Sequence, residues 1–419
     1  MNPVITPVSP QVRRWITGAL LVGTFLSSIE VMVVSPAMPA IVSDLGRAGL
    51  YAWVFSAYVL FQTITIPLYG IMADQFGRKP AYVTGVSLFV FGSLVCAQSM
   101  SIEVLVLGRI IQGAGAGALM ALTMTIFGDL YAVAERTKMQ GLFSLVWGVS
   151  SLLGPLAGGW LTETWSWRAI FWVNVLPGAI AGIIVTTLLP TWTKTKADPT
   201  QKAQKKRRLS RLLENRTQQA IHLSGPLHGA ALMGIIGFLP VWIQAVDGGS
   251  PMDAGLAVIP MSLSWTIGAN VCGRMVDQMG FRTLVRLGMA LCAMGALICG
   301  IWTAHPIGLV IYGAGMGFSI SSFNVAVQET APNDLRGFAT SFSLFSRSIG
   351  SAIGITVFGW VAGLEFTTED FSQVQNLADG VSRVFWTVAF CVLAGASFVV
   401  ARFPKELDEV SETTPQSQP

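Results

Sequence analysis

The stretch Gly70-Ile-Met-Ala-Asp74-Gln-Phe-Gly77-Arg78-Lys79 returns 203 positions later as Gly273-Arg-Met-Val-Asp277-Gln-Met-Gly280-Phe281-Arg282. Glycine, aspartate, glycine and a cation keep one register in both copies. Each copy sits in a short polar gap between two long apolar runs. A chain that repeats a loop together with its hydrophobic surroundings is expected to be two copies of one membrane bundle. Composition agrees. Only 11% of residues are charged and 52% are hydrophobic, with a mean hydropathy of +0.60, whereas a soluble chain carries roughly 25% charged residues.

A spanning helix needs about 20 apolar residues. Twelve such runs stand out: 15–40, 53–72, 81–98, 104–127, 139–161, 169–189, 220–245, 254–275, 284–303, 307–327, 338–362 and 381–401. The predicted fold is therefore an all-α integral membrane protein, with twelve transmembrane helices in two pseudo-symmetric six-helix bundles. Residues 1–189 form the first bundle, 190–219 a charged cytoplasmic linker and 220–403 the second bundle. Residues 404–419 form an acidic Ser/Thr/Pro-rich tail expected to be disordered. No cleavable signal peptide is expected, since the first run is long enough to span and lacks a small-residue cleavage site.

Cations cluster at Arg13-Arg14, Arg78-Lys79, Arg136-Lys138, Lys194 to Arg216, Arg274 to Arg286, Arg336 and Arg402-Lys405, leaving Arg47, Arg168 and Arg383 in the alternate gaps. This alternation is the positive-inside pattern. It predicts both termini in the cytoplasm, and a bacterial inner membrane is the expected location. A cytoplasmic linker accounts for the basic stretch 202–216, so no nucleic-acid partner is expected. The cysteines Cys96, Cys272, Cys292, Cys299 and Cys391 all lie inside apolar runs without ligand spacing. They read as small buried hydrophobes rather than a disulfide framework or metal site.

Ionised groups deep in a bilayer are costly, so each one calls for a reason. Glu30, in Ser27-Ser-Ile-Glu30-Val-Met32, is the one acidic residue that cannot be assigned to a loop, linker, tail or span end. Arg109 and Arg347 are the two cations of comparable depth. At 1.5 Å per residue, Glu30 lies roughly 15 Å and Arg109 roughly 8 Å from the outer ends of their helices, so a direct or water-bridged pair is geometrically allowed. Burial opposes ionisation of a carboxyl and a neighbouring guanidinium favours it. A glutamate held between the two is suited to taking up and releasing a proton as the protein changes shape, while arginine keeps its charge. The competing reading is a fixed Glu–Arg strut, or a glutamate that faces a water-filled vestibule. The repeated loop motif, with Gly70, Asp74, Gly77, Arg78 and Asp277, is expected to form a charge network near helix N-termini at the cytoplasmic face that breaks during gating. His222 and His228, near the cytoplasmic side of the seventh run, read as packing residues rather than proton relays, and His305 lies beside Pro306 in an outer loop.

Four stretches together resemble the major facilitator superfamily, and more narrowly its drug:proton antiporter branch. Gly70 to Pro80 resembles the superfamily's loop motif. Leu107-Gly-Arg109-Ile-Ile-Gln112-Gly113 resembles the helix 4 motif whose arginine is tied to proton transfer. Gly148-Val-Ser-Ser-Leu-Leu-Gly154-Pro155-Leu-Ala-Gly158-Gly159 resembles the helix 5 antiporter motif. Ile29 to Pro39 is similar to the helix 1 motif carrying an acidic residue. The branch is usually described with fourteen helices. Residues 190–219 hold no apolar run, so the twelve-helix form is the better match. At an offset of 203, Glu30 falls on Met233 and Arg109 on Tyr312, which assigns proton coupling to the first half.

The resemblance implies an exporter that exchanges protons for lipophilic, cationic or neutral compounds by alternating access, without a cofactor and as a monomer among membrane lipids. A single intramembrane acid argues against a strongly dicationic substrate. Candidate cavity residues are Tyr58, Phe61, Gln112, Met120, Met124, Trp147, Phe238, Trp242, Phe318, Phe345 and Arg347. The alternative on the same scaffold is an exporter of lipids or of an endogenous metabolite. A membrane enzyme would need convergent catalytic groups that three scattered histidines and one deep acid do not supply.

Overall fold

The computed structural model describes residues 9–131, 133–190, 215–302, 306–331, 336–364 and 377–402. The linker residues 191–214, the tail 404–419 and His305 lie outside the described residues. Described are α1 (Pro10–Leu45), α2 (Tyr51–Phe76), α3 (Arg78–Ala97), α4 (Ile102–Leu130), α5 (Val133–Thr164), α6 (Ala169–Leu188), α7 (Arg216–Val241), α8 (Pro251–Ala257), α9 (Ile259–Trp302), α10 (Pro306–Glu329), α11 (Arg336–Val361) and α12 (Leu377–Arg402). Among the described residues, twelve segments are long and apolar enough to cross a membrane. The runs 254–275 and 284–303 become Pro251–Met275 and Gln278–Ile301, so α8 and α9 together supply two spans. Leu176, Ile183, Ile267 and Phe390 are exposed on the outer faces. A soluble protein rarely presents such a surface continuously, and a lipid-facing one requires it.

Local chemistry sets the helix limits. Ser9 accepts the Val12 amide at 3.4 Å with Pro10 at the first position of α1, and Ser101 accepts the Val104 amide at 3.4 Å at the start of α4. The two loop-motif copies break their helices in the same way. Gly77 has φ 101° between α2 and α3, and Gly280 has φ 68° inside α9. That left-handed region is readily open only to glycine, which gives the repeated glycine a steric reason. Asp74 and Asp277 each stand three residues before that break. They therefore lie at the C-terminal end of a helical segment, not at the N-terminus the sequence suggested, and the turn's dipole does not favour their charge there.

The described residues cluster into two compact units. One holds the residues up to 190 with Ile243–Leu256, Gly363, Leu364 and Leu377; the other holds 215–242, 257–362 and 378–402. The clustering thus differs from a single cut at the linker. Within unit 1, α1 packs on α5, α2 and α3 pack on α4, and α3 packs on α6; within unit 2, α7 packs on α11 and α9 on α10.

Glycine seams make this packing close, since helix association in lipid depends on small residues. On α4, a Cβ on Gly113 or Gly117 would strike α2 at Tyr58 and Gln62, and one on Gly115 would strike α3 at Gly85 and Phe89. On α10, Gly313 and Gly317 meet Met261 and Trp265, and Gly315 meets Gly288 and Cys292. The α4 and α10 seams therefore match at an offset of 200, not 203. That makes Leu309, not Tyr312, the counterpart of Arg109. On α5, Gly154 and Gly158 approach Ile29 and Val33, while on α11 Gly350 and Gly354 approach Pro226 and Ala230. This register places Leu227, not Met233, opposite Glu30. Loop lengths differ between the halves, so one global offset cannot align every helix.

Candidate functional site

Five helices of unit 1 converge on a sealed polar centre. α1 contributes Glu30, α2 Tyr58 and the Val54 carbonyl, α3 Ser93, α4 Arg109 and Gln112, and α6 Asn174. Glu30, Arg109, Gln112 and Ser93 are completely buried, and Asn174 is 2% exposed. Arg109 Nη1 donates to Glu30 Oε1 at 2.5 Å and to Gln112 Oε1 at 2.7 Å. Its Nε donates to the Val54 carbonyl at 3.0 Å. Asn174 Nδ2 donates to the other carboxylate oxygen, Glu30 Oε2, at 2.6 Å. Gln112 Nε2 passes the chain on to Ser93 Oγ at 2.9 Å. The Arg109 guanidinium lies 4.2 Å from the Tyr58 ring centroid, and the Tyr58 hydroxyl donates to the Ser27 carbonyl at 2.9 Å.

This geometry makes the Glu30–Arg109 contact direct, one of the two forms the depth estimate allowed. It also corrects the role of two candidates. Gln112 and Tyr58 are fully buried supports of Arg109 rather than cavity walls: the amide oxygen accepts from Nη1 and the phenol ring lies against the guanidinium, while Nη2 is buried with no hydrogen-bond partner among the described residues. Asn174 was missed from the sequence. Its signal was available: it is the one amide side chain inside the 169–189 run, and a buried amide without a partner is costly.

The remaining candidates scatter through their own units. Phe61, Met120, Met124 and Trp147 are half-buried in unit 1, with Gln62 Nε2 3.0 Å from Met120 Sδ. In unit 2, Phe238 and Trp242 are buried, while Phe318, Phe345 and Arg347 are half-buried. Phe238, completely buried, is a packing residue rather than a cavity wall. His228 is buried with Nε2 3.2 Å from Ser319 Oγ.

In the antiporter motif, Gly154 and Gly158 bring α5 against α1, and Gly159 approaches the Pro251 carbonyl. Pro155 lies inside α5. Gly148 and Gly70 face open space, so packing does not demand a glycine at either position. The side chains of Asp74 and Asp277 lie outside the described residues. Arg78 instead donates from Nε to Asp129 Oδ2 at 3.1 Å and from Nη1 to the Ala73 carbonyl at 3.0 Å. The loop after α2 is thus tied to the end of α4 through a carboxylate that the sequence reading left in a loop.

The profile of the Major Facilitator Superfamily matches residues 20–355. The Multidrug transporter protein MdtP of Bacillus subtilis is 29% identical over 403 residues, covering 83% of this chain and 74% of the relative. The Multidrug efflux pump SdrM of Staphylococcus aureus is 27% identical over 400 residues, covering 83% of this chain and 89% of the relative. Among solved structures, a bacterial homologue of the human lysosomal transporter Spinster has a TM-score of 0.78 at 16% identity, covering 94% of this chain and 97% of that one. A D-xylose–proton symporter has a TM-score of 0.74 at 18% identity, covering 94% and 98%. At such identities the structural likeness concerns the fold.

Proposed function

Because the chain belongs to the Major Facilitator Superfamily and is an integral membrane transporter, we propose that it is a proton-coupled antiporter exporting lipophilic compounds by alternating access. The observation that carries this reading is the sealed Glu30–Arg109–Asn174 centre in unit 1. The names of the relatives, a multidrug transporter and a multidrug efflux pump, support the direction and the breadth of cargo.

The chemistry follows from the valences. Glu30 is the group in the centre that gains and loses a proton, because arginine stays charged and the amides do not titrate. With the carboxylate ionised, the pair is neutral overall and both oxygens have donors. Adding a proton leaves the buried Arg109 charge unmatched, which is unfavourable. Protonation therefore favours a rearrangement that hydrates Arg109 or gives it another partner, and release of the proton favours the closed centre. A two-state transporter needs a ligand with differential affinity for its states, and the proton has one by this argument. We place the protein in a bacterial inner membrane as a monomer, with both termini cytoplasmic.

The test is efflux in everted vesicles with an imposed pH gradient. A fluorescent lipophilic compound should accumulate when wild type is present, and Glu30→Gln should reduce the gradient-driven part to background. Retained gradient-driven accumulation in Glu30→Gln would overturn the coupling scheme.

A further inference from the structure

A second polar group lies at the rim of unit 1, beside an open apolar cleft. Arg168 stands immediately before the span Ala169–Leu188, and Asp44 lies at the very end of the span Pro10–Leu45, so the two mark a membrane–water boundary. Arg168 Nη1 donates to Asp44 Oδ2 at 2.6 Å, and Nη2 donates to the Ser99 carbonyl at 3.0 Å. The Trp167 indole donates to the same Asp44 Oδ2 at 3.0 Å. These bonds use part of the arginine's fork of donors and one carboxylate oxygen. Among the described residues, Arg168 Nε has no acceptor and Asp44 Oδ1 has no donor. The two side chains are 34% and 49% exposed, so both open groups face the boundary. Arg168 also lines a cleft of about 680 Å³ with Trp165, Trp172, Val173, Leu176 and Pro177. Trp165 and Trp172 are exposed, as aromatic rings at a membrane boundary are. The cleft shares Leu176 and Pro177 with a second one of about 360 Å³, which continues between α6 and Trp15, Gly18 and Val22 of α1. From Ala169 to Ile184 the α6 lining recurs every three or four residues, one face of the helix. The two clefts therefore form one trough about 22 Å long. A Cβ on Gly18 would meet open space, so that residue keeps the trough wide instead of packing a neighbour.

We propose that this trough and the Arg168–Asp44 pair bind a phospholipid whose head carries a phosphate and a primary ammonium. The phosphate accepts from the open side of the Arg168 guanidinium, the ammonium donates to Asp44 Oδ1, and an acyl chain lies over Val173 and Leu176. Charge complementarity selects the head. The pair is neutral in sum and offers one cation and one anion side by side, so a zwitterion meets both through charge-assisted hydrogen bonds. An anionic head would add a charge that nothing in the pair matches, and a trimethylated ammonium has no N–H for Oδ1. Length agrees with the tail. Half of the roughly 30 Å hydrocarbon core is about ten residues of α6, which carries a chain from Arg168 to Pro177, where the two clefts merge. Water is absent at that depth, so hydrocarbon fills the cleft through dispersion contacts. The site does not depend on the export reading.

Native mass spectrometry of the purified full-length protein in detergent tests the site, with phosphatidylethanolamine, phosphatidylcholine and phosphatidylglycerol of identical acyl chains as probes. Wild type should hold phosphatidylethanolamine about tenfold more tightly than either of the others. Asp44→Asn should erase the preference over phosphatidylcholine while changing phosphatidylcholine affinity by no more than about twofold. Arg168→Gln should weaken both of these lipids by about tenfold. Arg168→Lys, which keeps the charge, should lose less and serves if the glutamine variant does not fold. Val173→Trp fills the trough and leaves both charges in place, so it should weaken all three lipids. Equal affinity of wild type for the three means annular lipid only and overturns the site. Tightest binding of phosphatidylglycerol overturns the zwitterionic head. Wild-type affinity in Arg168→Gln or in Arg168→Lys and Asp44→Asn together overturns the head contacts, and wild-type affinity in Val173→Trp overturns the place of the tail.

Discussion

Glu30 and Arg109 are each costly alone and tolerable together. Removing one member of a buried ion pair leaves an uncompensated charge and costs about 3–5 kcal/mol, whereas removing both is often close to neutral. Arg109→Gln and Glu30→Gln should therefore each lower the melting temperature in detergent clearly. The double substitution should recover most of the loss, and additive losses would show that the two charges do not depend on each other. Asn174 supports the second carboxylate oxygen. Asn174→Leu should cost about 1–3 kcal/mol, the price of a buried acceptor left without its donor, and should lower gradient-driven efflux. Asn174→Asp, nearly the same shape, should be worse because it sets a second carboxylate against Glu30. Wild-type efflux from both variants would remove Asn174 from the mechanism. Depth along the helix was legible in the sequence, and it singled out Glu30 and Arg109. Which side chains complete the centre was not legible, because Asn174 reaches Glu30 across 144 residues of sequence.

Elements show the same division between pattern and contact. The antiporter motif reads as a run of glycines, yet its glycines do different things. A Cβ on Gly158 would strike the Val33 carbonyl of α1, and one on Gly148 would meet open space. Gly158→Ala should force α5 from α1, destabilise the protein by about 1–3 kcal/mol as overpacking does and impair efflux. Gly148→Ala should be neutral or up to about 1 kcal/mol stabilising, since alanine is the better helix former. Equal thermal shifts in the two variants would contradict this assignment. At the other end of unit 1, Arg78 and Asp129 are about a quarter exposed. Such a pair contributes about 0–1 kcal/mol to stability. If it serves gating, Arg78→Ala should reduce transport with a small change in melting temperature. Loss of folding in proportion to loss of transport would make it a strut.

At the scale of the whole chain, two copies of one packing plan carry different interiors. Unit 1 holds a paired acid and base, and its counterpart positions in unit 2 are Leu227 and Leu309. Unit 2 holds Arg347 and His228 instead. The alternation of cations along the chain predicts orientation. A fluorescent protein fused to the C-terminus should fluoresce in cells, and an alkaline phosphatase fused there should stay inactive. The opposite pair of results would reverse the assigned topology.

Hydropathy, charge spacing and the repeated loop determined by themselves that this chain crosses a membrane twelve times in two related halves. They also singled out Glu30, Arg109 and Arg347 as the charges farthest from the ends of their runs. Those features are local, since a residue's cost in lipid depends on its own chemistry and its distance from a helix end. Only the tertiary structure decided the partners: Asn174 for Glu30, Asp129 for Arg78, and no carboxylate among the described residues for Arg347. Partner choice depends on how each helix is rotated about its axis and which neighbour lies beside it. Weak hydrophobic periodicity in a helix apolar on nearly every face leaves that rotation unspecified, and glycine-to-backbone contacts between helices set it.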